Sequence, residues 1–328
     1  MAQTWSPLEA AVLRTLLYAD IFSGTLTLNE LHQYLISNQK FTRSDVRSTV
    51  RRLRDTDTTS ELIATVYRGD VPRHFPTEKW VAIVDMVSSL AWIPWIESIW
   101  ITGSVAVGNV QVNDDLDILF ITSPRRLWLT RAVVVVFGIL RGKYRRSHFS
   151  DDMVANQWCC NIWLEHEAAQ VDQNRHDIYT AREVIQALPV YERESGLAAR
   201  WLDKNRWVQE FCANGFVLAR QRARTLPALG QRHPLFPGQA VLETLLNTLA
   251  YHVQMISIRA KQTREEVSLR QLFFIRVILN RLFSKNMRKC ADTTHYEDLI
   301  PLAHRLDNRR ARTLASSGAD GGISSVAR

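Results

Sequence analysis

The sequence predicts an α+β protein: a mixed sheet with flanking helices, preceded by a small helical domain and followed by a helical region. Three observations predict this class. Apolar residues recur at helical spacing over much of residues 7–55, two strand-like apolar stretches flank a Gly-Ser turn within residues 98–122, and the pattern is almost entirely helical from Leu197 onward. The 328 residues are enough for two or three domains. The predicted boundaries are residues 1–75, 76–195 and 196–312, with a polar tail at 313–328 that contains too few apolar residues to pack.

Composition narrows the expected partners. The chain has 41 Lys and Arg against 33 Asp and Glu, a net charge of +8 and a pI near 9.5, which suits polyanions such as nucleic acid or nucleotide phosphates. Its four cysteines show no metal-ligand spacing, which fits a reduced compartment. The first residues lack the pattern of a secretory signal, and the longest apolar run, Ala132–Leu140, is far shorter than the roughly 20 residues of a membrane span. We therefore expect a cytoplasmic protein that does not bind membranes.

The N-terminal segment predicts three short helices, at Pro7–Tyr18, Thr27–Ile36 and Thr42–Asp55. Residues 61–71, "ELIATVYRGDV", then have the β-branched content of a strand and a Gly-Asp turn. Three helices followed by such a wing resemble a winged-helix domain.

Basic residues lie along one face of the third predicted helix. Arg43, Arg47 and Arg51 recur at four-residue steps, on a different face from the apolar residues Val46 and Val50. In a winged-helix domain this helix enters the major groove of DNA, so the resemblance makes these arginines candidate nucleic-acid contacts. The alternative is a domain that packs or docks onto protein, with the arginines forming a solvated face.

The rest of the chain predicts alternating helices and strands and then helices alone. We expect a helix at Thr77–Leu90, a strand in "SIWITG", a helix at about Arg125–Leu140, a strand in "QWCCNIWLEH" and a helix in "YTAREVIQAL" that ends at Pro189. Further helices are predicted at Trp201–Arg222, Ala240–Arg259 and Leu269–Lys285.

Two aspartates lie within the strand-like stretch "NDDLDILFIT". Residues two apart on a strand point to the same face, so Asp115 and Asp117 should project together while Leu116 and Ile118 enter the core. Two adjacent carboxylates repel each other unless a cation lies between them, and an oxygen-only site suits Mg²⁺ or Mn²⁺. The alternative is an acidic, solvated turn at the end of a strand.

A small-residue segment precedes the aspartates. Gly103 and Ser104 follow the strand "SIWIT" and begin "SVAVG", which predicts a short helix. Backbone N–H groups and the Ser104 hydroxyl at such a turn can bind phosphate, and glycine lets the backbone approach it closely. The two elements together predict a phosphate-binding turn beside a metal-binding aspartate pair.

This arrangement resembles the signature of the DNA polymerase beta-type nucleotidyltransferase superfamily. In that signature a Gly-Ser pair precedes, by about ten residues, an alternation of aspartate and apolar residues. The resemblance implies a nucleotidyltransferase-type sheet in which the two aspartates ligate the metal ions and the Gly-Ser pair contacts the β- and γ-phosphates of an NTP, with ATP the expected one. The reaction would transfer an NMP to an unidentified hydroxyl acceptor and release pyrophosphate. The matching residues are Gly103, Ser104, Asp115, Leu116, Asp117 and Ile118.

The third carboxylate of active members is missing from its expected place. An aspartate is expected near Asn161 on the strand "CCNIWLE", and Glu165 lies on the same predicted face. Glu165 is therefore the candidate third catalytic carboxylate, provided that the strand register differs from the simple one. If neither residue serves, the alternative function is a non-catalytic nucleotide-sensing or DNA-binding regulator with a degenerate transferase site.

Basic residues after the aspartate strand are candidate phosphate contacts. Arg125 and Arg126 begin the next predicted helix, where they could neutralise a triphosphate. The alternative is an ordinary solvated surface.

Overall fold

The computed structural model describes residues 5–22, 24–71, 75–145, 155–229 and 239–256. They form two compact units, one of residues 5–32 and 41–71 and one of residues 33–40 and 75–256. The second unit contains a four-stranded mixed sheet with flanking helices, so the α+β class is confirmed. None of the helices in these ranges is long and apolar enough to cross a bilayer.

The first unit contains the predicted helices. Serine and threonine caps fix two of their starts: Ser6 and Thr42 each form a capping box with the acidic residue three positions later. Helix α3 buries its apolar stripe, as the sequence predicts. The helices are α1 (Pro7–Ile21), α2 (Leu28–Gln33), α3 (Arg43–Arg54) and α4 (Asp57–Val66).

The predicted strand at residues 61–71 is wrong. Most of it belongs to α4, in which Thr59, Ile63 and Val66 are buried at helical spacing. The β-branched residues suggested a strand, but their burial has a period near 3.6 residues, so packing overrides their β propensity. What remains of the expected wing is an isolated bridge between Leu26 and Tyr67 and a turn at Gly69.

The sheet has the order β3-β2-β1-β4. Strand β1 pairs antiparallel with β2 and β4, whereas β2 and β3 are parallel and joined through a crossover helix, α7. The elements of this unit are α5 (Thr77–Leu90), β1 (Ile96–Thr102), α6 (Gly103–Ala106), β2 (Leu116–Thr122), α7 (Leu127–Leu140), β3 (Trp158–Glu165), α8 (Ile178–Gln186), β4 (Leu188–Glu192), α9 (Leu197–Lys204), α10 (Ala213–Thr225) and α11 (239–256).

Both faces of the sheet are covered. Ile101 and Ile118 lie in the core on one face, together with residues of α5 and α7. On the other face Trp100 packs edge-on against Trp201 of α9, with ring centroids 4.6 Å apart. The sequence predicts a separate C-terminal domain from residue 196, but α9 belongs to the same unit as the sheet.

The predicted helix Trp201–Arg222 is two helices. Between α9 and α10 the buried Asn205 bonds through its side chain to the carbonyl oxygens of Ala169 and Trp201, at 3.1 and 3.0 Å. An asparagine that competes with the backbone for hydrogen bonds in this way favours a helix end. The sequence does not predict β4, because Pro189 indicates the end of a helix and not a residue within a strand. The predicted helix at 269–285 and the tail at 313–328 lie outside the described residues.

Candidate functional site

The two aspartates meet where β1 turns into α6 and β2 begins. Thr102 is paired with Asp117 across β1 and β2, and Asp117 is paired with Cys159 across β2 and β3. Asp115 lies just before β2, and its carboxylate approaches that of Asp117 as the alternation predicts. One ligand atom from each of Asp115, Asp117 and Cys159 lies within 4.8 Å of the other two.

Gly103 makes room for this cluster. Its φ is +65°, in the left-handed region, and a Cβ at this position would lie 2.2 Å from Oδ2 of Asp117. No side chain tolerates such a contact without moving the carboxylate. Glycine is therefore required both for the turn and for the approach of Asp117 to the backbone.

The electrostatics of the cluster favour a cation. Burial and the charge of Asp115 raise the pKa of Asp117 above its ordinary value. Burial and the two aspartates likewise raise the pKa of Cys159 to about 12, so the thiol is protonated at neutral pH. In the described structure the positive charge comes from Arg145, whose Nη1 forms an ion pair with Asp115 and lies 3.9 Å from Sγ of Cys159.

A buried lysine holds the loop that leads to the aspartates. Lys79 of α5 is 1% exposed, and its Nζ donates to the carbonyl oxygens of Val112, at 3.0 Å, and Asp114. The Asp114 carboxylate accepts from the Ser104 hydroxyl at 2.8 Å and from the Gln111 N–H at 2.9 Å. Ser104, a predicted phosphate contact, thus lies beside the aspartates but directs its proton to Asp114.

We expect Lys79→Met to lower the free energy of unfolding by about 1–3 kcal/mol, because it removes the charged donor of two hydrogen bonds to loop carbonyl groups. The loop that orients Asp115 should loosen as well, so Mg²⁺ affinity should fall. Thermal unfolding and calorimetric Mg²⁺ titration of the variant test both effects. Unchanged values in both measurements would show that Lys79 does not support the loop.

The structure does not place Glu165 with the aspartates. The register of β2 and β3 shifts after the pair Asp117–Cys159, so that Leu119 pairs with Ile162 and Thr122 with Glu165. Because Thr122 lies five residues after Asp117, Glu165 is on the opposite face of the sheet. This register shift is a bulge in β3. The expectation that Glu165 supplies the third carboxylate is therefore wrong.

Asn161 does reach the aspartate pair. Its Nδ2 donates to Oδ1 of Asp117 at 3.0 Å. An amide orients Asp117 in this position but cannot act as a general base.

Sequence reasoning did not single out Glu183, whose carboxyl group is influenced by the charge of Asp117. Burial and the charge of Asp117 both raise its pKa, although Arg182 opposes the shift. Glu183 is on α8, far along the chain, and nothing in its local sequence sets it apart. The spacing of the cysteines likewise does not indicate Cys159, because strand pairing and not spacing brings it to the aspartates.

Arg125 and Arg126 do not join the aspartates. They follow β2, whereas the aspartates are at its start, and a seven-residue strand spans about 20 Å. The Arg126 guanidinium is buried against α11, where it pairs with Glu243 at 2.8 Å and donates to Ala240. Arg125 is exposed, with a φ of +59°.

The arginines of α3 lie on the surface of the first unit. Arg43 and Arg47 both form ion pairs with Asp70, the latter at 2.7 Å, and Arg51 is exposed. Their contact with nucleic acid stays a prediction.

We expect Asp117→Asn to raise the melting temperature of the metal-free protein by a few degrees at neutral pH. A carboxyl group whose folded-state pKa is raised contributes stability below its unfolded-state pKa, and this contribution is lost as the pH rises through the folded-state pKa. The advantage of the variant should therefore disappear in acid, where Asp117 is protonated. Thermal unfolding in EDTA at both pH values tests this, and a lower melting temperature at neutral pH would contradict it.

The residues present fit a divalent cation. Two carboxylates converge beside a backbone turn that a Cβ would fill, and Mg²⁺ is commonly held by one or two carboxylates with substrate phosphates completing its shell. The fold and site together define an α+β protein in which two carboxylates and a thiol converge where the central strand β1 ends and the central strand β2 begins. No protein-family model, curated protein or solved structure matches the chain.

Proposed function

We propose that the protein is a metal-dependent nucleotidyltransferase that transfers an NMP from an NTP, with ATP the expected donor, to a hydroxyl acceptor and releases pyrophosphate. The single observation that supports this most is the approach of Asp117 to Gly103. An aspartate pair against a glycine that admits no Cβ is the arrangement expected where a metal and a phosphate chain are bound together. We further propose that the sheet is of the nucleotidyltransferase type and that a winged-helix-like unit precedes it. A cytoplasmic location would supply the NTP.

Each residue of the site would have a distinct role in this reaction. Asp115 and Asp117 hold the metal, Asn161 orients the Asp117 carboxylate, and Gly103 lets the backbone approach the phosphates. When bound, Mg²⁺ or Mn²⁺ polarises the phosphoryl group and neutralises the charge that develops on the leaving pyrophosphate. Arg145 neutralises Asp115 in the metal-free protein, and its guanidinium is close enough to meet an anionic ligand there.

A second candidate function is nucleotide binding without turnover. The observation that favours it is Asn161, an amide bonded to Asp117 where active members have a carboxylate.

Calorimetric titration of ATP and GTP, with Mg²⁺ and with EDTA, separates these functions when followed by a pyrophosphate-release assay in which cell extract supplies the acceptor. The transferase requires Mg²⁺-dependent binding and pyrophosphate release. Binding without release would favour the sensor. Absence of Mg²⁺-dependent binding would contradict both.

A further inference from the structure

Cys159 lies where it can join the aspartates in holding a metal. Cys159 pairs with Asp117 across the parallel strands β2 and β3, and its Sγ lies within 4.8 Å of a carboxylate oxygen of each aspartate. Within the described ranges, this is the one cluster of three His, Cys, Asp or Glu residues with metal-ligand geometry. The neighbouring thiol of Cys160 is directed differently: Sγ contacts the Trp158 carbonyl and packs against the core.

Arg145 shows where a cation would lie in this cluster. Its Nη1 is an ion-pair partner of Asp115 and is 3.9 Å from the Cys159 sulfur, so a positive charge already lies between an oxygen and a sulfur donor. The Arg145 side chain is 39% exposed, and it can move away without crossing the core. A metal ion can therefore replace the guanidinium.

The pairing of β2 with β3 explains why a sulfur and not a carboxylate lies here, because Cys159 pairs with Asp117 whereas Glu165 pairs with Thr122, five residues further along. Before the bulge, Cys159 is on the face of Asp117; after it, Glu165 is on the other face. The strand position beside the aspartate pair is therefore occupied by a soft donor.

We propose that Cys159 is a third metal ligand and that it shifts the preference of the site from Mg²⁺ toward thiophilic divalent ions such as Zn²⁺ and Cd²⁺. This rests on the proposed function only in that Asp115 and Asp117 hold a metal. Bond lengths of about 2.0–2.3 Å put the ligands of one tetrahedral ion about 3.5 Å apart, so small side-chain rotations close the cluster. A metal–sulfur bond forms, the S–H bond breaks, and the proton leaves to solvent. Thiolate ligands favour such ions over Mg²⁺, which prefers oxygen.

Cadmium titration of the full chain tests this, with the sulfur-to-cadmium charge-transfer absorption as the readout. The variant is Cys159→Ser, and the matched control is Cys160→Ser, which changes the adjacent thiol. We expect a one-equivalent absorption band in the wild type and the control and its loss in Cys159→Ser. Cd²⁺ and Zn²⁺ affinities of that variant should fall at least about tenfold, with Mg²⁺ affinity nearly unchanged. Circular dichroism checks that both variants fold.

A band that persists in Cys159→Ser, or no one-equivalent band in the wild type, would overturn the proposal. Failure of this proposal and failure of the proposed transferase function would give different results. Mg²⁺-dependent ATP binding without the cadmium band would contradict Cys159 as a metal ligand and leave the proposed transferase function standing. The cadmium band without nucleotide binding would support Cys159 as a ligand and contradict the transferase function.

Discussion

Replacing either Asp115 or Asp117 with asparagine is expected to lower nucleotidyl transfer about a thousandfold, because the metal's stabilisation of developing charge is worth several kcal/mol. Mg²⁺-dependent ATP binding should fall below detection in the same variants. Both effects follow from the convergence of the two carboxylates on one point. Pyrophosphate release and calorimetry with Mg²⁺-ATP measure them.

Asp85→Asn is the matched control for these variants. Asp85 is a half-exposed aspartate of α5 whose carboxylate lies 3.7 Å from Arg141, and it takes no part in the cluster. Its substitution should leave binding and turnover unchanged. Asp115→Asn and Asp117→Asn variants that retained wild-type Mg²⁺-ATP affinity would show that the aspartates form a solvated acidic turn.

Asp117→Asn should combine two effects that ordinary structural residues do not combine. We expect it to lose metal-dependent binding and, in the metal-free protein at neutral pH, to gain thermal stability. A residue kept at a cost in stability is typical of a functional site.

Gly103→Ala is expected to destabilise the protein by at least about 2 kcal/mol and to abolish Mg²⁺-dependent nucleotide binding. About 1–2 kcal/mol comes from placing a Cβ in the left-handed region, and the rest comes from its contact with the Asp117 carboxylate, 2.2 Å from Oδ2. The carboxylate must move or the turn must open, so the cluster loses its geometry. Urea denaturation gives the first effect and calorimetry the second.

Gly142→Ala separates the two causes. Gly142 has nearly the same φ, +64°, but nothing lies within 4 Å of the position of its Cβ. This control should show the backbone cost alone, with nucleotide binding retained. Equal stability losses in the two variants, with binding intact in both, would mean that the contact between Gly103 and Asp117 has no importance for the site.

Local sequence patterns predicted those parts of the fold that depend on short-range periodicity. Helix α5 occupies Thr77–Leu90 as expected, and α3 begins after the Thr42 cap, because capping and a 3.6-residue apolar repeat lie within the segment itself. The same patterns failed at residues 61–71, where β-branched residues form part of a helix, and at β4, which begins next to a proline. In both places tertiary packing overrode the local preference.

In the candidate site, too, some features follow from the local sequence and others depend on tertiary packing. The sequence by itself determined that Asp115 and Asp117 project together beside Gly103, because alternation along a strand and the freedom of glycine are local properties. Only the tertiary structure decided what surrounds them: the bulge that turns Glu165 away and leaves Cys159 and Asn161, the Arg145 ion pair, and the buried Lys79 below the loop. Register between strands depends on how side chains from distant segments pack, and no short stretch of sequence contains that information.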